Sequence, residues 1–263
     1  MKEKLIEVSH LTKVYGSHKA VDDLSFTIQD GSIYGFLGPN GAGKSTTMNI
    51  LTGCLAATEG EVKINGLDIF DDAKAAKQHL GYLPEIPPLY TDSSPWEFLH
   101  FVAEAKRVPK AQRDAHITEI MERTKITDVA NRMIGNLSKG YRQRVGIAMA
   151  LIGDPEIVIL DEPTVGLDPL QIIEIRDLIR SLGKTHTVIL SSHILSEVQA
   201  VCDEVLIIAE GKLVACDTME HLKERFAGVS EGETTLEDIF LRLTAHAETA
   251  AAPESAAEKE AAV

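Results

Sequence analysis

The sequence predicts an α/β fold with a mixed sheet, an antiparallel β layer at the N-terminus and an inserted helical subdomain. Short runs rich in Val, Ile and Leu alternate with helical patterns, which is typical of a parallel sheet covered on both faces. The opening stretch alternates apolar and polar residues, as in an antiparallel layer. Between residues 85 and 153 the strand signals fade and helical patterns replace them.

Each element follows from its local pattern. Residues 5–14 and 20–28 alternate in the way expected of the antiparallel strands. Residues 95–107 and 110–124 have helical patterns within the insertion. Apolar Leu236, Ile239, Phe240 and Leu243 predict a short amphipathic helix over 234–244. The continuous apolar runs predict buried strands at 32–37, 157–160, 187–191 and 205–209.

Composition divides the chain into three predicted parts. Residues 1–220 form the main domain, with the helical subdomain at about 86–153, and residues 221–245 form a C-terminal helical extension. From residue 246 to 263 the chain has no large apolar residue until Val263. Because such a segment buries too little surface to offset the entropy of ordering, we expect a disordered acidic tail.

The charge balance excludes several classes of function. The chain has 26 basic and 40 acidic residues, a formal net charge of −14, so we expect no nucleic-acid partner and no polybasic membrane anchor. The apolar stretches are shorter than the ~18 residues that a membrane span needs, and no apolar signal region opens the chain, which predicts a cytoplasmic location. Cys54, Cys202 and Cys216 lack metal or redox spacing and are expected to be reduced, mostly buried thiols.

A phosphate-binding motif follows the first buried strand. Residues 38–45 read GPNGAGKS, which matches G-x-x-x-x-G-K-[ST], and a helical pattern comes next. In this motif backbone N–H groups point at phosphate, the lysine reaches the terminal phosphates and the hydroxyl binds Mg²⁺. The helix N-terminus adds a positive dipole end. The predicted contacts to nucleotide and Mg²⁺ are Gly38, Pro39, Asn40, Gly41, Ala42, Gly43, Lys44, Ser45 and Thr46.

Two carboxylates end the second buried strand, in IVILDEP at 157–163. Asp161 is the candidate for the Mg²⁺ shell, through water. Glu162 stands where a general base could polarise a water for in-line attack on a γ-phosphate. Taken alone, this pair could instead cap a helix. Together with the phosphate motif, it favours nucleotide hydrolysis.

The remaining motifs resemble those of ATP-binding cassette (ABC) ATPases. LSKGYRQR at 137–144 is similar to the signature motif of that family, and Asp168 lies in a segment that resembles its D-loop. His193 in VILSSH resembles the switch histidine, and Tyr15 in LTKVYG matches the aromatic residue that stacks on adenine. The resemblance covers residues 5 to about 214. It implies a P-loop NTPase (RecA-like) core that binds ATP and Mg²⁺.

The resemblance also implies a split site. Two nucleotides would be sandwiched between two cassettes arranged head to tail. The phosphate loop, Asp161, Glu162 and His193 of one cassette would face Ser138 and Gly140 of the other. A second ABC cassette, identical or related, is therefore an expected partner.

Three positions depart from the family pattern. Lys139 stands where glycine is usual and Tyr141 where glutamine is usual. The Lys139 side chain could add positive charge near the γ-phosphate or point to solvent. GYLPE at 81–85 occupies the Q-loop position but ends in Glu85, whose carboxylate could touch Mg²⁺ or the attacking water. These features resemble a bacterial and archaeal exporter subgroup.

The resemblance thus implies an ATP-hydrolysing subunit of an ABC exporter, peripheral on the inner face of the cell membrane and docked on separately encoded transmembrane permease subunits. The alternative is a soluble ABC ATPase of the iron–sulfur assembly, DNA repair or ribosome-associated type. Pro87, Leu89 and Tyr90 are candidates for a groove that holds a helix of a membrane subunit. A position in the core of the helical insertion is expected for Trp96, Phe98 and Phe101.

Overall fold

The computed structural model describes residues 4–226 and 235–250. Its strands and helices alternate along the chain as an α/β fold requires. The strands are β1 Lys4–Tyr15, β2 His18–Gln29, β3 Ile33–Leu37, β4 Glu59–Ile64, β5 Leu67–Asp68, β6 Leu80–Leu83, β7 Ile157–Asp161, β8 Thr187–Ser192, β9 Glu204–Ala209 and β10 Lys212–Thr218. The α-helices are α1 Lys44–Leu51, α2 Ala73–Ala76, α3 Pro95–Ala105, α4 Arg113–Arg123, α5 Lys139–Leu151, α6 Pro169–Leu182, α7 Leu195–Val201, α8 Met219–Phe226 and α9 Leu236–Ala250.

Two sheets form the core. The first has the order β2-β1-β4-β5 with antiparallel pairs throughout, which confirms the predicted N-terminal layer and adds β4 and β5. The second has the order β10-β9-β3-β8-β7-β6. Its β9-β3-β8-β7-β6 pairs are parallel and β10 joins antiparallel, so the predicted mixed sheet is confirmed.

The central strands are buried on both faces. Every residue of β3, β7 and β8 is buried, as expected for parallel strands that are covered by helices or by a second sheet. The apolar runs had predicted these three strands and β9. The sequence did not predict β6 and β10, which lie at the two edges of the sheet.

The described elements between β6 and β7 are all helical. Helix α3 begins with a capping box in which Ser94 and Glu97 bond reciprocally, a strong start signal. Phe98 is buried as predicted and joins the core cluster, against which the half-buried Trp96 packs. The expected core position of Phe101 is wrong, because this side chain is 54% exposed and its ring instead contacts Tyr90 at 5.4 Å between centroids.

Two helices follow the last strand. Helix α9 contacts α7, α8, β9 and β10, and it buries Leu236 and Ile239. It runs to Ala250, so the helix extends over residues 246–250, where the sequence predicted the start of the tail. Alanine is the strongest helix former, which favours this continuation. Residues 251–263 lie outside the described residues, where the disordered tail stays a prediction.

No helix within residues 4–226 and 235–250 combines the length and apolar character that a bilayer span requires.

Candidate nucleotide-binding site

Parallel pairing brings the predicted motifs to one edge of the central sheet. Strands β3, β8 and β7 are neighbours and run in the same direction. Their carboxyl ends lead to the phosphate loop, to His193 and to the pair Asp161 and Glu162. Ligands of open α/β sheets bind at such an edge. The fold thereby brings together residues that are more than 100 positions apart in sequence.

The phosphate loop depends on glycine for its shape. Gly41 and Gly43 have φ angles of 82° and 101°, in the left-handed region that favours glycine. A β-carbon on Gly43 would lie only 2.4 Å from the carbonyl oxygen of Ala20, so a side chain does not fit there. Helix α1 begins directly after this turn, at Lys44, where unpaired N–H groups suit an anion.

Lys44 is buried among opposite charges. Its Nζ donates to the carbonyl oxygens of Gly38 at 2.8 Å and Pro39 at 3.3 Å. Burial lowers the pKa of Lys44, and this is opposed by the negative charges of nearby residues. The ammonium is therefore held without bulk water, where it would gain from contact with phosphate oxygens. The opposing carboxylates are Glu162, Asp161 and Glu85.

Asp161 ends β7 as a buried carboxylate. Burial raises its pKa, while hydrogen bonds from the hydroxyls of Ser191 and Ser45 act in the opposite direction. The Ser191 Oγ donates to the Asp161 Oδ1. A carboxylate and a serine hydroxyl side by side are oxygen donors of the kind that Mg²⁺ prefers. The residues present therefore fit this cation.

Glu162 adopts a conformation that is unusual for a residue with a side chain. Its φ is 48°, which costs on the order of 1–3 kcal/mol and persists only where the surroundings enforce it. Its N–H donates to the Oγ of Ser191 at 3.0 Å and to the carbonyl oxygen of Ser191 at 3.2 Å. The Glu162 carboxylate Oε2 lies 2.9 Å from the Nδ1 of His193.

The phosphate loop, Glu162 and His193 line a cavity of about 500 Å³. This volume is within the usual range of small-molecule sites. Tyr15 lies at its rim, with the Lys13 Nζ 5.2 Å from the ring centroid. Sequence reasoning missed His18, whose only signal was its position three residues after Tyr15. The lining residues are Tyr15, His18, Ala20, Asn40, Gly41, Gly43, Lys44, Ser45, Thr46, Glu85, Glu162, Val165 and His193.

The signature residues line a separate cavity of about 340 Å³. Ser138 caps α5, and its side chain accepts a hydrogen bond from the N–H of Tyr141. A β-carbon on Gly140 would lie only 2.6 Å from the side chain of Gln171. The phenol of Tyr141 donates to Asp128 at 2.7 Å. Ser138, Gly140 and Tyr141 all line this cavity, and it shares no residue with the cavity at the phosphate loop.

Two other predicted residues have positions that the sequence could not specify. Asp168 caps α6 by accepting from the N–H of Gln171 at 2.9 Å, and it lines neither of these cavities. The Lys139 Nζ occupies the space that a β-carbon on Gly166 of the same chain would need. Lys139 and Glu85, two of the departures from the family pattern, line a common cavity of about 390 Å³. Lys139 therefore lies against the segment of this chain that resembles the D-loop.

Sequence comparison decides the family. A profile described as "ABC transporter" matches residues 21–165. The bacitracin transport ATP-binding protein BcrA of Bacillus licheniformis is 43% identical over 223 residues, which are 84% of this chain and 72% of that protein. This chain belongs to the ABC transporter ATP-binding family. The probable multidrug ABC transporter ATP-binding protein YbhF of Escherichia coli is 34% identical over 242 residues, which are 92% of this chain and 42% of YbhF.

Solved ABC structures have the same fold. An ATP-binding subunit of an ABC transporter, 28% identical, superposes with a TM-score of 0.81 over 91% of this chain and 99% of that one. The dimeric structure of MJ0796, a bacterial ABC transporter cassette, is 25% identical and has a TM-score of 0.74 over 82% of this chain and 99% of that one. The predicted P-loop NTPase fold and family are confirmed. The chain is an ABC ATPase whose family couples ATP hydrolysis to transport.

Proposed function

We propose that this chain is the ATPase subunit of an exporter and works as a head-to-tail dimer of cassettes. The observation that carries the proposal is the separation of two half-sites. The phosphate loop, Glu162 and His193 line one cavity, while Ser138 and Gly140 line another. A second cassette that places its signature motif over the phosphate loop completes the site. ATP then joins the two cassettes, and hydrolysis releases them.

The nucleotide is held by groups of opposite charge and by stacking. Tyr15 stacks on adenine, since its ring is at the rim of the cavity and half exposed. Lys44 and backbone N–H groups of the phosphate loop bind the phosphates. Asp161 and Ser45 hold Mg²⁺, which when bound neutralises charge on the γ-phosphate. The partner cassette closes the site with Ser138 and Gly140.

Glu162 is the base that takes the proton from the attacking water. His193 donates through Nδ1 to Glu162 and so fixes the carboxylate; in the imidazolium form the second ring nitrogen also carries an N–H, which can donate to the γ-phosphate. Glu85 lines the same cavity and contacts Mg²⁺ or the attacking water. Asp168 acts at the dimer interface through the D-loop.

An exposed apolar patch offers a docking surface for the membrane subunit. We call Ile86, Tyr90 and Phe101 the Q-loop patch; they are 83%, 52% and 54% exposed. The Tyr90 ring contacts Phe101 and Phe98, and Ile86 directly follows Glu85 in the chain. Exposed apolar clusters mark interaction sites. We assign this patch to a cytoplasmic helix of a separately encoded transmembrane permease on the inner face of the membrane. The names of BcrA, a bacitracin transport protein, and YbhF, a probable multidrug transporter, support a role in transport.

Complementation between two inactive variants tests the split site. Lys44→Ala disables the phosphate loop, and Ser138→Asp places a carboxylate opposite the γ-phosphate while remaining a good helix cap. Each variant alone is expected to be inactive. Mixed with ATP, they form one intact site per heterodimer and recover hydrolysis. The control mixes Lys44→Ala with the double variant Lys44→Ala/Ser138→Asp, which cannot form an intact site. A mixture that stays inactive contradicts the proposal.

Purification from native membranes tests the partner. The tagged Glu162→Gln chain is isolated from detergent-solubilised membranes with ATP, and the retained polypeptides are identified. Recovery of a multi-spanning protein supports the exporter assignment. The tagged Ile86→Ser/Phe101→Ser variant, with two patch residues made polar, is expected to lose that protein. Recovery of soluble partners alone favours the iron–sulfur assembly, DNA repair or ribosome-associated class.

A further inference from the structure

Ser191 contacts both acidic residues of the nucleotide site from the neighbouring strand. It is paired with Asp161 in the parallel register of β7 and β8, and it is fully buried. The Ser191 Oγ donates to the Asp161 Oδ1. The Ser191 Oγ also accepts a hydrogen bond from the N–H of Glu162 at 3.0 Å. One hydroxyl therefore links the two carboxylate-bearing residues.

This arrangement uses both the donor and the acceptor function of the serine hydroxyl. A hydroxyl has one proton and two acceptor lone pairs. Its proton goes to one carboxylate oxygen of Asp161. The Ser45 hydroxyl bonds to the same carboxylate, which retains lone pairs for a cation or its water shell. A lone pair receives the Glu162 N–H, at the residue whose φ of 48° requires support from its surroundings.

The next serine has different partners. Successive side chains of a strand point to opposite faces. The Ser192 Oγ accepts the N–H of Ile194 at 3.0 Å and lies 3.5 Å from the Glu197 Oε2. Both serines are fully buried, and only Ser191 bonds to Asp161 and Glu162. Ser192 is therefore a matched comparison for the loss of a buried hydroxyl.

We infer that Ser191 is a positioning residue that orients Asp161 toward Mg²⁺ and holds Glu162 in its left-handed conformation. The inference rests on the proposed function of Asp161 and Glu162. Residues that hydrogen-bond to a metal ligand and orient it contribute on the order of 10–100-fold to metal affinity or activity. The sequence motifs did not single out Ser191, because its role depends on the register between two strands distant in sequence.

The experiment measures ATP affinity with excess EDTA and with Mg²⁺, in the non-hydrolysing Glu162→Gln background. Ser191→Ala is expected to leave the affinity in EDTA unchanged and to reduce the gain in affinity on adding Mg²⁺ by roughly tenfold or more. Ser191→Cys, nearly the same size but a weak donor, is expected to do the same without leaving a void. Ser192→Ala is expected to retain the full Mg²⁺ gain. With Glu162 in place, Ser191→Ala is expected to lower kcat more than it changes the KM for ATP.

Asp161→Asn separates the two ways in which the result could fail. If Asp161→Asn lowers the Mg²⁺ gain and neither Ser191 variant does, the positioning role of Ser191 is overturned. If Asp161→Asn itself leaves the Mg²⁺ gain unchanged, the proposed metal role of Asp161 is wrong, and the inference for Ser191 is overturned with it. An equal loss in Ser192→Ala also overturns it, because loss of any buried hydroxyl at this strand end would then suffice.

Discussion

The Nδ1 of His193 lies 2.9 Å from the Oε2 of Glu162, at the edge of the nucleotide cavity. The two side chains differ in environment, since that of Glu162 is 9% exposed and that of His193 is 46% exposed. The backbone N–H of Glu162 is held by Ser191. Ser191 of β8 therefore holds the backbone of Glu162, and His193, which follows β8, holds its carboxylate.

Replacing the carboxylate by an amide separates ATP binding from hydrolysis. Glu162→Gln keeps the size of the side chain and removes the base, so we expect nucleotide affinity to be retained and turnover to fall by roughly 10²–10⁴-fold. Bound ATP is then not consumed, and the closed dimer is expected to accumulate. Steady-state ATPase assays and light scattering with ATP measure the two effects. Normal hydrolysis in this variant contradicts the role assigned to Glu162.

The buried ammonium of Lys44 is expected to determine phosphate affinity. Lys44→Ala removes a cation that is close to three carboxylates, so the phosphates would enter a site dominated by negative charge. We expect the dissociation constant for ATP to rise by at least tenfold, since charged hydrogen bonds are worth about 1.5–3 kcal/mol. Equilibrium nucleotide titration measures it. Lys63→Ala, on the antiparallel layer and paired with Glu61, is the control, and unchanged ATP affinity in Lys44→Ala rules out the role of the phosphate loop.

The sequence predicted the central strands because continuous apolar runs of that length are typical of strands buried on both faces. It did not predict β6, whose four residues include Gly81, because an edge strand this short has too little pattern. The prediction for Phe101 was wrong, because helical spacing shows which residues share a face of a helix but not which face packs against the core. The contacts of Ser191 also could not be predicted, because they arise from tertiary pairing.

A partly buried lysine that does not line the cavity at the phosphate loop predicts a pH-dependent stability. Burial lowers the pKa of Lys106 from its ordinary value of 10.5 to about 8, and its Nζ donates to the carbonyl oxygen of Leu80. Between pH 8 and 10.5 the unfolded chain keeps this proton and the folded chain releases it. The contribution of Lys106 to the free energy of unfolding therefore rises with pH over this window, by at most about 3 kcal/mol.

Lys106→Met removes the titrating group and keeps the aliphatic stem. We expect the difference in unfolding free energy between wild type and this variant to shift in favour of wild type as the pH rises from 8 to 10.5. Urea denaturation at a series of pH values measures the difference. Lys77→Met is the control, since its ammonium also donates to a backbone carbonyl but at an exposed position. Parallel pH profiles for wild type and Lys106→Met would show that this lysine does not titrate abnormally.

Truncation is expected to distinguish helix α9 from the segment after it. Leu236 and Ile239 of α9 are buried in the main core, and each buried side chain of this size contributes about 1.5–3 kcal/mol. Deletion from Thr235 onward is therefore expected to lower the free energy of unfolding by several kcal/mol and to reduce the melting temperature. Deletion of 251–263, which contains one large apolar residue, Val263, is expected to leave both stability and ATP hydrolysis near wild type. Thermal melts and ATPase assays on both truncations measure this, and a large loss of hydrolysis on removing 251–263 alone would show that the acidic tail contributes to the ATPase.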